Sequence, residues 1–138
     1  MSQDLEKIAL FLEEHHVMSL ATSYGDELSV CSLFYAYDAK KISFIVASSD
    51  DTLHIRLGLK NPNIAGNILL ETKQVGRIQG VQFQGRLYRN DDASLEKLYM
   101  RHFPYALALQ PKLWKIDVHH FKMTDNRLGF GKKILWCE

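Results

Sequence analysis

The amino-acid sequence predicts a small, mainly β protein, an antiparallel barrel of six or seven strands with a few short peripheral helices. Three observations predict this fold. Many of the 138 residues fall into alternating or continuously apolar runs of strand length, separated by turn residues. The first three predicted strands are joined by short connections, which favours an antiparallel meander. The clearest strand carries two glycines, Gly80 and Gly85, which permit the sharp bend that small barrels require.

The chain begins with an amphipathic helix, because Leu5, Ile8 and Leu12 recur at helical spacing behind a cap at Ser2 or Asp4. Three strands follow, with polar or glycine-containing turns between them. They are predicted at residues 16–22, 27–37 and 42–47. The third strand is apolar on nearly both faces, which is typical of a buried strand.

The segment after the third strand carries most of the functional information. The small polar residues SSDDT at positions 48–52 end the strand and can cap a helix, whose free amides and dipole would favour an anion. The side chains that can add hydrogen bonds or charge are Ser48, Ser49, Thr52, His54 and Arg56. Asp50 and Asp51 oppose an anion unless they cap the helix or point to water. The alternative is a capped surface helix with solvated charges.

Periodicity alone predicts a different structure for residues 52–60. Leu53, Ile55, Leu57 and Leu59 alternate strictly with polar residues or glycine, which is the period of a strand. On that pattern the segment is an edge strand with a cationic face. From the residues alone, residues 52–60 can therefore be either a helix or an edge strand.

The second half of the chain is predicted to hold four more strands and short helices. In the clearest strand, Val81, Phe83 and Leu87 face one way, while polar residues and Tyr88 face the other. The predicted strands are residues 64–70, 76–89, 113–123 and 128–136, and the helices begin near residues 91 and 105. Gly66 permits a bulge or a close approach in the first of these strands.

Composition excludes several classes of function. A chain of this length is expected to form one domain, residues 1–138. The formal net charge of +1 gives no long-range electrostatic attraction for nucleic acid or an anionic membrane. The apolar runs are too short to span a bilayer. The N-terminus lacks the features of a signal peptide, and Cys31 and Cys137 have no disulfide or metal spacing. We therefore expect a soluble cytoplasmic protein without a metal site.

Three local patterns give the chain a resemblance to a known family. They are HVMSLAT with SVCSLFYAYD at residues 16–38, the strand and SSDDTLHIRLGLKNPNIAGNI at residues 42–68, and GVQFQGRL at residues 80–87 followed by a helix. In this order they resemble the FMN-binding split barrels related to pyridoxamine 5′-phosphate oxidase. The LGFGKK ending at residues 128–133 is most similar to the YhbP-related group within that family.

The resemblance implies a split barrel that binds FMN in a cleft between the subunits of a homodimer, and it makes residues 52–60 a helix. It places Thr52 and His54 at the phosphate, Ser48 and Ser49 on the loop beneath it, and Ser32, Leu33 and Phe34 along the flavin ring. Gln79 lies one position from the oxidase's ring-contacting glutamine. The oxidase's arginine and histidine pattern for substrate is not found. True pyridoxamine phosphate oxidation is therefore not expected.

Several other side chains are candidates with a structural alternative. Trp114 and Trp136 could stack on a flavin or substrate ring, although core or interface positions are favoured for both. Lys132, beside Lys133, could close over the phosphate or lie in a solvated tail. The neighbours His119 and His120 point to opposite strand faces and cannot chelate one metal together. No residue is identified as a catalytic acid or base, which is expected when a flavin supplies the chemistry.

Two classes of function remain. The first is an FMN-dependent oxidoreductase that acts between a reduced nicotinamide nucleotide and a small organic molecule. The second is a non-catalytic protein that holds flavin or haem, for which His54, His119 or His120 would be the axial ligand. A nucleic-acid-binding β face is disfavoured, because no aromatic platform accompanies the cations.

Overall fold

A computed structural model describes residues 2–138 of the chain. The helices are α1 (Gln3–Glu14), α2 (Leu53–Lys60), α3 (Ala93–His102) and α4 (Ala106–Leu109). The strands are β1 (Val17–Tyr24), β2 (Glu27–Asp38), β3 (Ser43–Ala47), β4 (Asn63–Leu69), β5 (Gln79–Arg89), β6 (Leu113–Asp125) and β7 (Lys133–Cys137). Two 3₁₀ turns, Val75–Arg77 and Asn126–Leu128, complete the described secondary structure.

The strands form one antiparallel sheet that closes into a barrel. Their order is β3-β2-β1-β4-β5-β6-β7, and β3 also pairs with β6, so that six strands close and β7 extends the free edge of β6. The predicted meander of the first three strands is confirmed by the β1–β2 and β2–β3 pairings. The predicted fold class, an antiparallel split barrel of six to seven strands with a few peripheral helices, is also confirmed.

The core fills the barrel and the space beneath α1. Phe44 lies at its centre, with its ring centroid 4.8 Å from that of Phe83 and 5.2 Å from that of Tyr35. Helix α1 closes one side with fully buried Ile8 and Leu12, as its amphipathic pattern predicts. Burying these apolar side chains is the main favourable contribution to folding.

Two glycines are required by close contacts between strands. A Cβ atom at Gly66 would overlap the Ser19 carbonyl and the Phe83 ring. A Cβ atom at Gly85 would overlap the Asp117 carbonyl, at the position where the β5–β6 register shifts. The close approach predicted at Gly66 and the bend predicted at Gly85 are thus both confirmed.

Residues 53–60 form a helix, so the helical interpretation is confirmed and the edge-strand interpretation is wrong. Ile55 and Leu57 are buried, whereas Leu53 and Leu59 are 40% and 55% exposed. The strict alternation of leucine-like residues was therefore misleading, because only half of them face the protein. Gly58 lets the helix pack closely, since a Cβ atom there would touch Leu87.

Two predicted strand segments are wrong. Residues 76–78 belong to a 3₁₀ turn and its cap, in which the Arg77 amide donates to the Gln74 carbonyl at 2.9 Å. Leu128 ends the second 3₁₀ turn and residues 129–132 form a loop, so none of them begins β7; Gly129 and Gly131 take φ values of 141° and 72° that no strand adopts. The turn predicted at residues 124–126 also begins later, since β6 continues to Asp125.

Candidate functional site

The polar segment after β3 is fixed against the barrel by its backbone. We name residues 48–54 the polar corner. The Ser48 amide donates to the Lys112 carbonyl at 3.0 Å, and the Ser48 carbonyl accepts the indole N–H of Trp114 at 2.8 Å. Both bonds connect the corner to the start of β6 and hold the Ser48 side chain beside the first turn of α2.

Thr52 is the N-cap of α2. Its Oγ1 accepts a hydrogen bond from the Ile55 amide at 3.4 Å and donates one to the Ser49 carbonyl at 2.9 Å. The amides of Leu53 and His54 lie in the first turn, where a helix has no internal acceptor for them. Within residues 2–138 neither amide has a hydrogen-bond acceptor. These two donors and the helix dipole favour a negative charge at the corner.

His54 connects the two hydroxyls of the corner. Its Nε2 lies 2.7 Å from Ser48 Oγ and 3.3 Å from Thr52 Oγ1. The imidazole is half-buried, and this burial lowers its pKa below the ordinary value of 6.5. The free protein therefore holds His54 neutral at neutral pH, and an anion bound at the corner would favour its protonated form.

This pKa shift makes a prediction about stability and pH. The unfolded chain binds a proton at His54 that the folded protein does not, so lowering the pH from about 6.5 towards the folded pKa destabilises the fold. Between about pH 7 and pH 5, we expect the unfolding free energy of the wild-type protein to fall more than that of His54→Gln. Urea denaturation of both proteins checks this. Equal losses, or an NMR titration that gives His54 a pKa above 6.5, would contradict it.

The two aspartates of the corner each have a partner within the protein. Asp50 forms an ion pair with Lys112 and lies 3.9 Å from Arg89, and the Lys112 ammonium holds the pKa of Asp50 below its usual range. Asp51 accepts a hydrogen bond from Ser49 Oγ. The expected repulsion of an anion is thereby weakened. Sequence reasoning missed Lys112 and Arg89, which only the pairing of distant strands brings here.

The β2 backbone beside the corner has an open edge. Strand β2 pairs with β1 from Glu27 to Phe34, but with β3 only from Tyr35 onward. Continuing the β2–β3 register would set Ser48 opposite Leu33, so the corner flanks the point where the edge opens. An unpaired edge presents N–H and C=O groups to a ligand. Ser32, Leu33 and Phe34 thus occupy the part of β2 just beyond its last pairing with β3, the strand that leads into the corner.

The two tryptophans have different positions. Trp114 is fully buried, with its indole N–H on Ser48 and the Arg89 guanidinium 4.8 Å from the ring centroid. Trp114 thus takes the core position that the sequence favoured over stacking on a ligand, and its contact with the corner is through Ser48. Trp136 is half-buried, with its ring centroid 5.8 Å from that of Phe121.

Gln79 and Lys132 lie away from the corner within one chain. Gln79 pairs with Asp125, and the Asp125 amide donates to the Lys132 carbonyl at 3.1 Å. Asp125 is eleven positions along β6 from Trp114, a span of up to about 36 Å in an extended strand. The single site predicted from the sequence is therefore divided between two ends of β6.

The remaining candidates are the two histidines of β6 and Cys31. His119 is exposed and His120 half-buried on β6, and residues 2–138 contain no cluster of three metal-ligating side chains. Burial raises the pKa of the Cys31 thiol, which is consistent with a packing role. No helix among the described residues has the length and apolar character to cross a membrane.

A closed antiparallel barrel of six strands with one extra strand is the fold of split-barrel proteins, and solved structures share this fold. A haem-binding protein from Mycobacterium smegmatis matches with a TM-score of 0.81 at 14% identity over 99% of this chain and 59% of its own. A Listeria innocua protein named after pyridoxamine 5′-phosphate oxidase matches at 0.70, with 17% identity over 86% of this chain and 96% of its own. An FAD-binding protein from Mesorhizobium loti matches at 0.68, with 18% identity over 86% and 90%.

The chain belongs to the UPF0306 family. It is 33% identical to the UPF0306 protein of Photorhabdus laumondii over 98% of this chain and 96% of that protein. It is 35% identical to the UPF0306 protein YhbP of Escherichia fergusonii over 97% of this chain and 93% of that protein. No protein-family model matches the sequence. The resemblance to the YhbP-related group is thus confirmed.

Proposed function

We propose that the protein is a flavoprotein that binds FMN with its phosphate at the polar corner and its ring along the open edge of β2. The observation that carries this proposal is the position of the Ser48–His54 hydrogen bond of 2.7 Å, at the first turn of α2 and beside that edge. A phosphate and a planar ring are the two parts of FMN, and two adjacent features of the chain suit them.

The donors at the corner fit a phosphate. The amides of Leu53 and His54 supply two hydrogen bonds, Ser48 supplies a hydroxyl, and His54 gains a proton when a dianion is near. Thr52 acts through the cap, because its hydroxyl hydrogen is already donated to the Ser49 carbonyl. An open depression of about 350 Å³ adjoins the corner and is lined by Ser48, Ser49, Lys112 and the Lys112-paired Asp50, among others. Its volume is sufficient for a phosphate and part of a ribityl chain.

The chemistry of the proposed oxidoreductase comes from the cofactor, since a bound flavin accepts and returns a hydride or single electrons. The chain's own residues bind, orient and exclude water. Phe34 lies at the open edge, 49% exposed, with its ring centroid 5.5 Å from that of Phe103, and is the side chain suited to pack on a flat ring. The substrates would be a small organic molecule and a reduced nicotinamide nucleotide.

The outer face of β2 supports a homodimer. Leu28 and Val30 are 77% and 73% exposed, and they border an apolar groove of about 690 Å³ that β1 and β4 continue with Ala21 and Ala65. Exposed apolar faces of this kind are characteristic of subunit interfaces. In a dimer across this face, Gln79 and Lys132 would act only if the partner subunit supplied them to the cleft.

We predict that Val30→Asp shifts the protein from dimer to monomer. Burying an unpaired carboxylate in an apolar interface costs several kcal/mol, so the dissociation constant should rise by more than about tenfold. Light scattering at micromolar concentration measures the mass. Leu107→Asp is the control, because Leu107 is similarly exposed, at 64%, on α4. A wild-type monomer would contradict the proposed interface.

Haem is the second candidate ligand, held without turnover. His119 supports it, because its exposed imidazole lines the groove on the outer face and has no hydrogen bond to any described side chain. An axial ligand must have such a free ring nitrogen. His54 is less suited, since its Nε2 already contacts Ser48.

The visible spectrum of freshly isolated protein tests these alternatives. We expect the two-banded yellow absorbance of a flavin, restored by added FMN if purification removes it, and bleached by NADH or NADPH if the protein is an oxidoreductase. A sharp Soret band would instead identify haem as the bound group. If mixing the protein with FMN at millimolar concentration changes neither the absorbance spectrum of the flavin nor the fluorescence of the protein, the proposal is wrong.

A further inference from the structure

A second concave site lies between β5, β6 and the β2–β3 turn. This β5–β6 groove has a volume of about 680 Å³ and is lined by Ile42, Arg86, Asp117, His119 and Trp136, among others. Its volume is within the range of small-molecule sites. It shares no residue with the polar corner, so it lies outside the proposed FMN phosphate site.

Two of the three acidic side chains that line the groove, Asp117 and Asp92, are held by their own neighbours. Asp117 accepts a hydrogen bond from Ser43 Oγ at 2.7 Å, and its other oxygen lies 3.9 Å from Lys115 Nζ. Asp92 is paired with Lys41. These carboxylates are therefore held in place and available neither for a cation nor for a metal.

One cation of the groove, Arg86, has no partner within the described residues, whereas Lys41 and Lys115 face Asp92 and Asp117. Arg86 has no carboxylate within 4.0 Å and no side-chain hydrogen bond among residues 2–138, and the imidazole of His119 has no hydrogen-bond partner there. Trp136 adds a half-buried indole ring, packed on Phe121. An unpaired guanidinium that lines one groove with an aromatic ring is suited to a planar aromatic carboxylate, since arginine binds a carboxylate with two parallel hydrogen bonds.

The backbone of the groove is strained. Ile42 takes φ = 52°, a left-handed conformation that is a rare outlier for a β-branched residue. Its carbonyl accepts the Val118 amide at 3.1 Å, which ties the β2–β3 turn to β6. Residues held in such conformations by their surroundings cluster at ligand sites. The strain is therefore a second observation, independent of charge, that points to this groove.

We propose that the β5–β6 groove binds a small aromatic carboxylate, with its carboxylate on Arg86 and its ring against Trp136. A monoanion is favoured over a phosphate dianion, because three carboxylates, those of Asp92, Asp117 and Glu138, line the groove against the cations of Lys41, Arg86 and Lys115. With Lys41 on Asp92 and Lys115 near Asp117, Arg86 is the cation left for a ligand, and Glu138 opposes a second negative charge. The site stands whether or not FMN binds at the corner.

The two tryptophans provide the test, since each reports one site. In a ¹⁵N-correlation spectrum of the full chain, the indole N–H of Trp114 reports on Ser48 and that of Trp136 on the groove. The variant Trp136→Phe lacks one of the two indole N–H signals, and this loss assigns both signals. Titration with benzoate should shift the Trp136 signal to saturation at millimolar concentration and leave the Trp114 signal in place. Benzamide, the neutral analogue, should bind at least about tenfold more weakly.

The variants identify the role of Arg86. Arg86→Gln should weaken benzoate binding by about tenfold or more, and Arg77→Gln, a matched change of an exposed arginine on the 3₁₀ turn, should leave it unchanged. No saturable shift up to about 10 mM benzoate would overturn the proposal. The assigned chemistry would be overturned if Arg86→Gln bound benzoate as tightly as the wild-type protein does. It would also be overturned if the wild-type protein bound benzamide as tightly as benzoate, or phenyl phosphate more tightly.

Discussion

Replacing Trp114 with alanine is expected to lower the free energy of unfolding by about 3–5 kcal/mol, the range for removing a large aromatic side chain from a packed core. Trp114 is fully buried and joins β6 to the polar corner through its 2.8 Å hydrogen bond to the Ser48 carbonyl. Its loss leaves a cavity and an unpaired carbonyl, and both costs fall where the corner is attached. Urea denaturation followed by circular dichroism measures the change.

Trp114→Phe separates the two costs. The phenyl ring retains much of the packing but cannot donate to Ser48, so we expect a smaller loss of about 1–3 kcal/mol. Trp136→Ala is the control, because Trp136 is only half-buried. If Trp114→Ala costs no more than Trp136→Ala, then the corner is not anchored as the structure indicates.

Replacing Thr52 and His54 together with alanine should weaken FMN binding by about 2–4 kcal/mol, or roughly thirtyfold to a thousandfold. The double variant removes the N-cap that orders the first turn of α2 and the imidazole that contacts Ser48 Oγ at 2.7 Å. Calorimetric titration of the apo-protein with FMN measures the loss. Circular dichroism verifies that the variant is folded, since losing an N-cap costs only about 1 kcal/mol.

A matched pair of substitutions controls for nonspecific effects. Thr72 and His102 form hydrogen bonds within their own local segments, to the Gln74 amide and the Leu98 carbonyl, and neither belongs to the corner. Thr72→Ala with His102→Ala should leave FMN affinity unchanged. An unchanged affinity in the Thr52 and His54 double variant would instead remove the phosphate assignment.

Strands with strict alternation could be predicted well from the sequence. In β5, Val81, Phe83 and Leu87 are buried and the residues between them are mostly exposed, because one face meets the core and the other does not. Helix α2 could not be predicted from periodicity, since its exposed leucines mimic a strand. Only the resemblance to a family indicated the helix.

The polar corner was located by the sequence, but its surroundings were not. Lys112 lies 62 positions from Asp50 along the chain, and it arrives there because β3 pairs with β6. No local pattern predicts that pairing. For the same reason the sequence placed Gln79 and Lys132 in one site with Ser48, whereas the structure sets them beyond the far end of β6.

The exposure of Leu28 and Val30 was also beyond local reasoning. They share the even-numbered face of β2 with Ala36, yet Ala36 is buried and they are not. The difference arises because α3 and α4 cover Ala36 with Leu95, Tyr99 and Ala106, and this cover does not extend to Leu28 and Val30. The open edge has a separate cause, since β3 pairs with β2 only from Tyr35 onward. The proposed ring site and the proposed interface thus depend on two different features of β2, neither of which a local pattern predicts.

The central claim is that the corner recognises a phosphate, and comparing FMN with riboflavin tests it most directly, because the two flavins differ only in that group. We expect calorimetry to show that the wild-type protein prefers FMN by about 2–4 kcal/mol, and that the Thr52 and His54 double variant retains less than about 1 kcal/mol of this preference. Equal affinities of the wild-type protein for the two flavins, or a preference that the double variant keeps in full, would contradict the account.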